Sequence, residues 1–231
     1  MNNTVRLCAA AAISTFSTIS ALASSDALQV EVTSQASRQE LAPANASCVT
    51  SSAGGTMPGA NRSLPLKWSA GPAGTKSYAL TMVDLDVPRD LSTLNKVGTS
   101  IAVDAPRMEF VHWILANIPK DRTTLAEAED GEGRLHGGLP LEQTAYGLRG
   151  QNGFAAFMKD GPYGGYMGPC PPWNDERAHR YQVTVYALDV DRLRLSRTFT
   201  RAELLGAMSG HVLATGSTEV DYSVNPKARL E

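Results

Sequence analysis

Several side chains suited to ligand binding lie at the ends of apolar stretches in this 231-residue chain. Asp84 follows the apolar residues 78–83, and His112 interrupts a second apolar stretch. His179 and Tyr181 open a third stretch and would share one face of a strand. Two imidazoles and a phenol supply N–H and O–H donors, and a protonated imidazole adds a positive charge. The set therefore suits an anion such as phosphate.

Each of these groups also has a purely structural interpretation. Asp84, Asp86 and Pro88 fit a solvated strand end that closes in a turn, because Asp and Pro are common turn residues. If the strand extends that far, its period of two puts both carboxylates on one face, and Pro88 ends the ladder. His112 fits a core histidine whose ring is satisfied by its neighbours, since burying an unpaired imidazole is costly. Both interpretations stay open on the residues alone.

Strand patterns dominate the elements that must position these groups. Alternating or continuous apolar runs predict strands at residues 28–32, 78–83, 110–116 and 181–188. Residues 38–65 are rich in small and polar side chains and predict a long surface loop. Residues 131–168 are dense in glycine and predict loops that surround a site rather than form core.

One helix is predicted late in the chain. Thr200 and Glu203 have the spacing of a capping box, in which each side chain bonds the other residue's backbone N–H. The apolar residues 204–213 follow, and Gly216 is the predicted terminator.

In combination these motifs resemble the phosphatidylethanolamine-binding protein family, in its bacterial Raf-kinase-inhibitor-like branch. The resemblance rests on Asp84-x-Asp86-x-Pro88, on His112-Trp113 with Asn117 five residues after the histidine, on Gly168-Pro169, and on His179-Arg180-Tyr181. It covers roughly residues 64–214. It implies a mostly β fold, with a central antiparallel sheet flanked by a smaller sheet and a few helices, and a shallow pocket for phosphate-like anions.

Carried over residue by residue, the resemblance implies a ligand pocket formed by Asp84, His112, Pro171 or Pro172, His179 and Tyr181. The loop from Pro171 to His179 is longer than in the animal members, which makes Trp173 and Asn174 candidate extra contacts. Residues 221–231 are unlike the final helix of the animal proteins, and Tyr222 is the candidate contact there. A proline-rich loop is ordered before binding, which reduces the entropy cost of presenting a binding surface.

The expected ligand is a phosphate or a phosphoethanolamine-type headgroup, with Asp84 placed to orient a histidine or to receive an ammonium group.

Three other functions stay open. Asp84, His112 and His179 could bind zinc, but no close ligand spacing supports a metal site. A weak phosphoester hydrolase could use His112 with Asp84, although the chain has no Gly-x-Ser-x-Gly elbow. The resemblance also admits an inhibitor of a kinase or protease that acts through protein contact. We expect a binding protein without enzymatic activity, cofactor or metal.

Charge and the first residues limit the compartment and the partners. The formal net charge of −2 argues against a nucleic-acid partner, because phosphate-backbone binding needs clustered Lys and Arg. Arg6 precedes an uncharged stretch at residues 8–22, which is typical of a signal peptide and too short for the roughly 20 residues of a membrane helix. We therefore predict a signal peptide at residues 1–23, a single domain at residues 24–231 without a membrane span, and a periplasmic or secreted location.

Removal of a signal peptide leaves two cysteines, Cys48 and Cys170. In an oxidising compartment two cysteines commonly pair, whereas in the cytosol they would stay free thiols. We predict a Cys48–Cys170 disulfide, with two buried free cysteines as the alternative.

Overall fold

The fold is built almost entirely from β-strands. The structure is a computed structural model that describes residues 27–37 and 39–229, so the predicted signal peptide lies outside the described residues. The strands are β1 Val30–Val32, β2 Gln35–Ser37, β3 Glu40–Leu41, β4 Cys48–Thr50, β5 Thr56–Pro58, β6 Leu66–Trp68, β7 Ser77–Pro88, β8 Arg107–Pro119, β9 Thr124–Leu125, β10 Leu148–Arg149, β11 His179–Leu188 and β12 Val212–Tyr222. The helices are α1 Phe154–Phe157 and α2 Arg201–Met208, with 3-10 turns at Pro43–Asn45 and Leu91–Thr93.

The central sheet has seven strands in the order β10-β8-β7-β11-β12-β3-β2. Its neighbours pair antiparallel, apart from the parallel pair β12 and β3. A three-stranded sheet, β1-β6-β9, and the hairpin β4-β5 accompany it. This arrangement confirms the predicted mostly β fold, with a central antiparallel sheet, a smaller sheet and few helices.

Both faces of the central sheet are buried, which explains the continuous apolar runs of its strands. One face carries alternate residues such as Leu80, Trp113 and Val183 and packs in one core with Leu66 and Trp68 of the small sheet. The opposite face carries the residues between them and packs against α2 and the segment that precedes it. The predicted strands at residues 78–83, 110–116 and 181–188 are therefore confirmed as central strands, and part of 28–32 forms β1.

Three irregularities interrupt the ladder between β7 and β8, the first of them between Tyr78 and Leu80. Val83 pairs with Val111 and Met82 with Trp113, so His112 is an extra residue on β8. Further along, Asp84 pairs with Phe110 and Val87 with Met108, so β7 gains an extra residue. Bulges of this kind redirect side chains and are common beside binding sites.

The predicted helix begins where expected but is shorter. Thr200 caps α2 and forms the predicted capping box with Glu203. The helix ends at Met208, and Gly210 then adopts the left-handed φ of 81° that turns the chain. Residues 212–222 form the long strand β12, so the prediction of helix through residue 213 was wrong. Gly216 lies within β12, where a Cβ would come within 1.9 Å of the Leu28 carbonyl oxygen.

The prediction of a surface loop at residues 38–65 was only partly right. The segment contains β3, β4 and β5, and several of its residues are buried, among them Asn45, Ser47 and Leu64. Its polar side chains hold other loops, as when Asn61 accepts a hydrogen bond from the Gly168 N–H at 2.7 Å. The polar composition of residues 38–65 therefore reflects side chains that hold other loops in place, and not only exposure to solvent.

The predicted disulfide between Cys48 and Cys170 is present, with Cα atoms 5.0 Å apart across a sequence separation of 122. Cys48 is buried and Cys170 is exposed. No helix among the described residues is long and apolar enough to cross a membrane.

Candidate functional site

A cavity of about 290 Å³ opens where the end of β7 meets the start of β11. Polar side chains form its floor, and apolar side chains with the 170–172 loop form its walls. The lining comprises Asp84, Val87, Leu91, Leu94, Asn95, Met108, Phe110, His112, Phe154, Phe157, Met158, Cys170, Pro171, Pro172, His179 and Tyr181. All six residues predicted for the pocket therefore lie around one cavity, and both candidate prolines border it.

Strand pairing brings the polar floor together. Asp84 on β7 lies directly opposite Tyr181 on β11, and His179 follows on the same face two residues away. The bulge on β8 turns His112 toward the same cavity. Asp84 accepts a hydrogen bond from His179 Nδ1 at 2.8 Å, and its Oδ1 accepts one from the Asp86 N–H.

His179 is held on both sides by carboxylates. Its Nδ1 faces Asp84, and its Nε2 lies 3.1 Å from Oδ2 of Asp175. Burial opposes the charged ring, but the charges of Asp84 and Asp175 outweigh it and raise the pKa of His179 to about 9. His179 is thus an imidazolium at neutral pH, and each of its N–H groups already has a carboxylate acceptor.

His112 has the opposite charge state. Its Nδ1 donates to the Met167 carbonyl oxygen at 2.7 Å, which leaves Nε2 directed at Asp84, 3.9 Å from Oδ2. Burial lowers the pKa of His112 further than the nearby Asp84 carboxylate can restore it. At neutral pH the ring is therefore uncharged, and its Nε2 offers a lone pair to the cavity.

Tyr181 contributes the group on the floor whose hydrogen bonding is incomplete. Its hydroxyl is fully buried, and within residues 27–37 and 39–229 no group meets it in good hydrogen-bonding geometry, although the Asp84 carboxylate lies close to it. Burial, and then the negative charge and the close contact of the Asp84 carboxylate, raise the pKa of Tyr181 well above its ordinary value, so the phenol stays protonated. An orphaned buried hydroxyl is costly unless a ligand or water completes it.

The walls are apolar and partly aromatic. Phe110 packs edge-to-face against His112 and Phe154, with ring centroids 5.3 and 4.9 Å away. Phe157 and Met158 remain exposed at the mouth. The low polarity around the floor strengthens any hydrogen bond formed there.

Contacts made outside the cavity hold the 168–172 loop in place. The Ser47 hydroxyl donates to the Gly168 carbonyl at 2.8 Å, and the Cys48–Cys170 bond follows two residues later. Gly168 has no room for a side chain, because a Cβ would lie 2.2 Å from the Asn45 carbonyl oxygen. The prolines are therefore presented by a loop with several independent anchors.

The other candidate residues lie outside the cavity. Asp86 lies away from it, because the β7 bulge directs its carboxylate to Arg177 and Arg180 at 2.9 to 3.0 Å. Burial opposes its ionisation, but the hydrogen bonds from these arginines outweigh it and lower the pKa of Asp86 to about 2.

The three extra contacts considered from the sequence do not line the cavity either. Trp173 packs against the core, and Asn174 bonds the backbone of the 93–99 loop. Tyr222 donates to the Cys48 carbonyl oxygen at 2.9 Å.

Sequence reasoning missed Asp175 and Arg107. Arg107 binds the Asp175 carboxylate through two hydrogen bonds of 2.6 and 3.0 Å, and Asp175 contacts His179. The spacing of four between Asp175 and His179 would have been a signal only if the intervening turn had been recognised. The site was also predicted without its apolar wall from α1.

A β fold with an apolar-walled cavity over a polar floor is typical of binding proteins, and the comparisons give its family. The family model for phosphatidylethanolamine-binding proteins matches residues 47–223. The chain belongs to this family.

The relatives found by sequence and the solved structure agree with this family assignment. A UPF0098 protein of Methanothermobacter thermautotrophicus is 36% identical over 158 residues, which cover 68% of this chain and 80% of the relative. The UPF0098 protein YbcL of Escherichia coli is 28% identical over 72% of this chain and 74% of its own length. The crystal structure of YbcL, a member of the same family, superposes with a TM-score of 0.59 over 86% of this chain and 99% of YbcL, at 25% identity.

Proposed function

We propose that the cavity binds the phosphate of a small phosphorylated ligand, of the phosphoethanolamine type. The observation that carries the proposal is the buried Tyr181 hydroxyl, which makes no well-aligned hydrogen bond to any described residue and lies on a floor shared with His112 and Asp84. A phosphate oxygen would accept from this hydroxyl, and a protonated His112 would add a charge-assisted hydrogen bond. The ammonium end of such a ligand has Asp84 as a counter-charge.

The same proposal includes export and a binding role without catalysis. A disulfide that borders the cavity fits an oxidising compartment, which agrees with a signal peptide at residues 1–23 and one domain at residues 24–231. Among the residues that the structure describes, the cavity lining contains no serine and no threonine, and its cysteine, Cys170, is bonded. A covalent phosphoryl intermediate on such a nucleophile is thereby disfavoured.

Replacing Tyr181 by Phe tests the ligand assignment. Tyr181→Phe removes a buried oxygen that has no well-aligned partner, so the variant should be about as stable as the wild type. It should nevertheless bind phosphate or phosphoethanolamine about tenfold more weakly, ~1.4 kcal/mol for one hydrogen bond. Isothermal titration calorimetry and urea unfolding measure the two effects.

Tyr78→Phe is the matched control. The Tyr78 hydroxyl accepts from the Gly71 N–H at 2.8 Å at the far end of β7, so this variant should lose about 1 kcal/mol of stability and no affinity. Equal affinity of Tyr181→Phe and wild type for both ligands would refute the assignment, as would absence of binding by the wild type. Turnover of a phosphomonoester by the wild type would refute the non-enzymatic role.

A further inference from the structure

Asp175 lies behind the cavity and not in it. It is fully buried in the turn that precedes β11, and its Oδ2 is 3.1 Å from His179 Nε2. Arg107, from β8, binds both oxygens of the same carboxylate. Alternating charges therefore run from the cavity floor into the protein: Asp84, His179, Asp175 and Arg107.

We propose that Asp175 is a positioning residue of the ligand site, which keeps the buried His179 ring positively charged and oriented so that Asp84 faces a cation instead of confronting the ligand alone. The inference rests on the proposed function for its effect on phosphate. Its effect on His179 stands independently of any ligand.

The geometry gives the reason. Without a positive neighbour, the Asp84 carboxylate on the floor would repel an incoming phosphate. His179 is 1% exposed, so water cannot stabilise its charged ring, and the two flanking carboxylates must do so. Arg107 in turn fixes both oxygens of Asp175, which determines where the His179 Nε2–H points.

Other charged or titratable groups around His179 do not replace Asp175. Tyr181 on the same strand is a protonated phenol, and His112 on β8 is uncharged at neutral pH or, when protonated, repels the His179 charge. Tyr222 pairs with His179 across β12, but its hydroxyl is committed to Cys48. Asp86, the other buried carboxylate nearby, binds Arg177 and Arg180 instead.

The first test follows the ring nitrogens of His179 by NMR in Asp175→Asn and in Asp86→Asn. Each variant replaces one buried carboxylate by an amide of the same shape, and both sites lie near the same end of the central sheet. In Asp175→Asn the titration midpoint of His179 should fall by about one pH unit or more, as expected for loss of an adjacent opposite charge. In Asp86→Asn the His179 midpoint should equal that of the wild type. In Asp175→Glu, which keeps a carboxylate, the midpoint should lie close to the wild-type value.

A measurement on the wild type can still overturn the proposal if Asp175→Asn does not fold. Its His179 ring should carry both protons at pH 7.5, and a neutral ring at that pH overturns the proposal. An unchanged midpoint in folded Asp175→Asn overturns it as well.

The second test measures inorganic phosphate affinity at pH 6 and pH 8. The ratio of wild-type to Asp175→Asn affinity should be near one at pH 6, where the variant His179 is still charged. At pH 8 it should rise to about twofold if the midpoint falls by one unit, and to about tenfold if it falls by two. A loss that is the same at both pH values would indicate only a structural role and would refute the inference. If the wild type binds no phosphate, the proposed function fails, and the NMR result alone decides the role of Asp175.

Discussion

Two histidines on one cavity floor have different charge states because different groups face their second nitrogens. A backbone carbonyl oxygen, that of Met167, accepts from His112, which fixes a neutral ring with a lone pair toward the cavity. A carboxylate, that of Asp175, faces the second nitrogen of His179 and keeps that ring charged. An anion entering the cavity therefore meets one histidine that is already charged and one that can still take up a proton.

Proton uptake by His112 should accompany anion binding. Sulfate is a useful probe, because it carries no titratable proton above about pH 3 and any proton taken up must go to the protein. Sulfate affinity should rise about tenfold per unit as the pH falls from 7.5 to 6.5, since the lowered pKa of His112 lies below this range. Calorimetry in buffers of different ionisation enthalpy should show uptake of about one proton.

His112→Gln is the matched variant, because it keeps a polar side chain that cannot be protonated. Its sulfate affinity should be weak and nearly independent of pH over the same range. A flat wild-type profile would mean that His112 has only a structural role, as the alternative interpretation of its sequence context holds.

The sequence predicted which residues meet at the cavity but not what each one does there. Asp84, His112, His179 and Tyr181 were recognisable because they interrupt or flank apolar strands. The charge states of the two histidines depend on Met167 and Asp175, which reach the site through loops without a regular pattern. Such contacts have no periodicity from which they could be read.

At the level of elements, bulges account for much of what simple periodicity missed. A strict period of two would put Asp84 and Asp86 in the same surroundings, yet the extra residue on β7 sends one to the cavity and the other to a pair of arginines. The bulge on β8 likewise turns His112 into the cavity. Strand existence was predictable from composition, whereas these register shifts depend on pairing between distant segments.

The helix α2 shows the same division between local and distant signals. Its start was predicted correctly because the capping box is a local motif. Its end was not, since residues 212–222 pair with β11 over their whole length and this tertiary pairing overrides the apolar pattern.

Thr200→Ala should reduce the free energy of unfolding by about 1 kcal/mol, because it removes the side-chain acceptor at the N-cap of α2. Urea unfolding measures the change, and ligand affinity should not follow it. Thr198→Ala is the control, as Thr198 is an exposed residue just before the cap, and its stability should match the wild type. Equal stability of the two variants would show that the capping box does not contribute.

At the level of the whole molecule, His179 makes stability depend on pH. Its pKa is about 9 in the folded protein and about 6.5 in an unfolded chain, so the folded state holds the extra proton between these values. The stabilisation is complete below about pH 6.5 and is lost as the pH rises through about 9. We expect the free energy of unfolding to fall by ~3 kcal/mol over that interval at most, measured by urea unfolding at successive pH values.

Asp175→Asn provides the comparison, since a smaller difference between the two pKa values should give a shallower fall with pH. A wild-type stability that is constant from pH 6.5 to 9.5 would contradict the charged state of His179 in the folded protein.

The Cys48–Cys170 bond has a consequence for how the protein is made. Synthesis begins at the N terminus, so the thiol of Cys48 leaves the ribosome long before its partner, 122 residues behind it, has been translated. Tyr181 follows later still, and β12, which supports β11, comes last. A nascent chain that stalls before residue 170 would carry an unpaired thiol, and one that stalls before residue 181 would lack part of the binding floor, so the cavity is among the last features of the molecule to be completed.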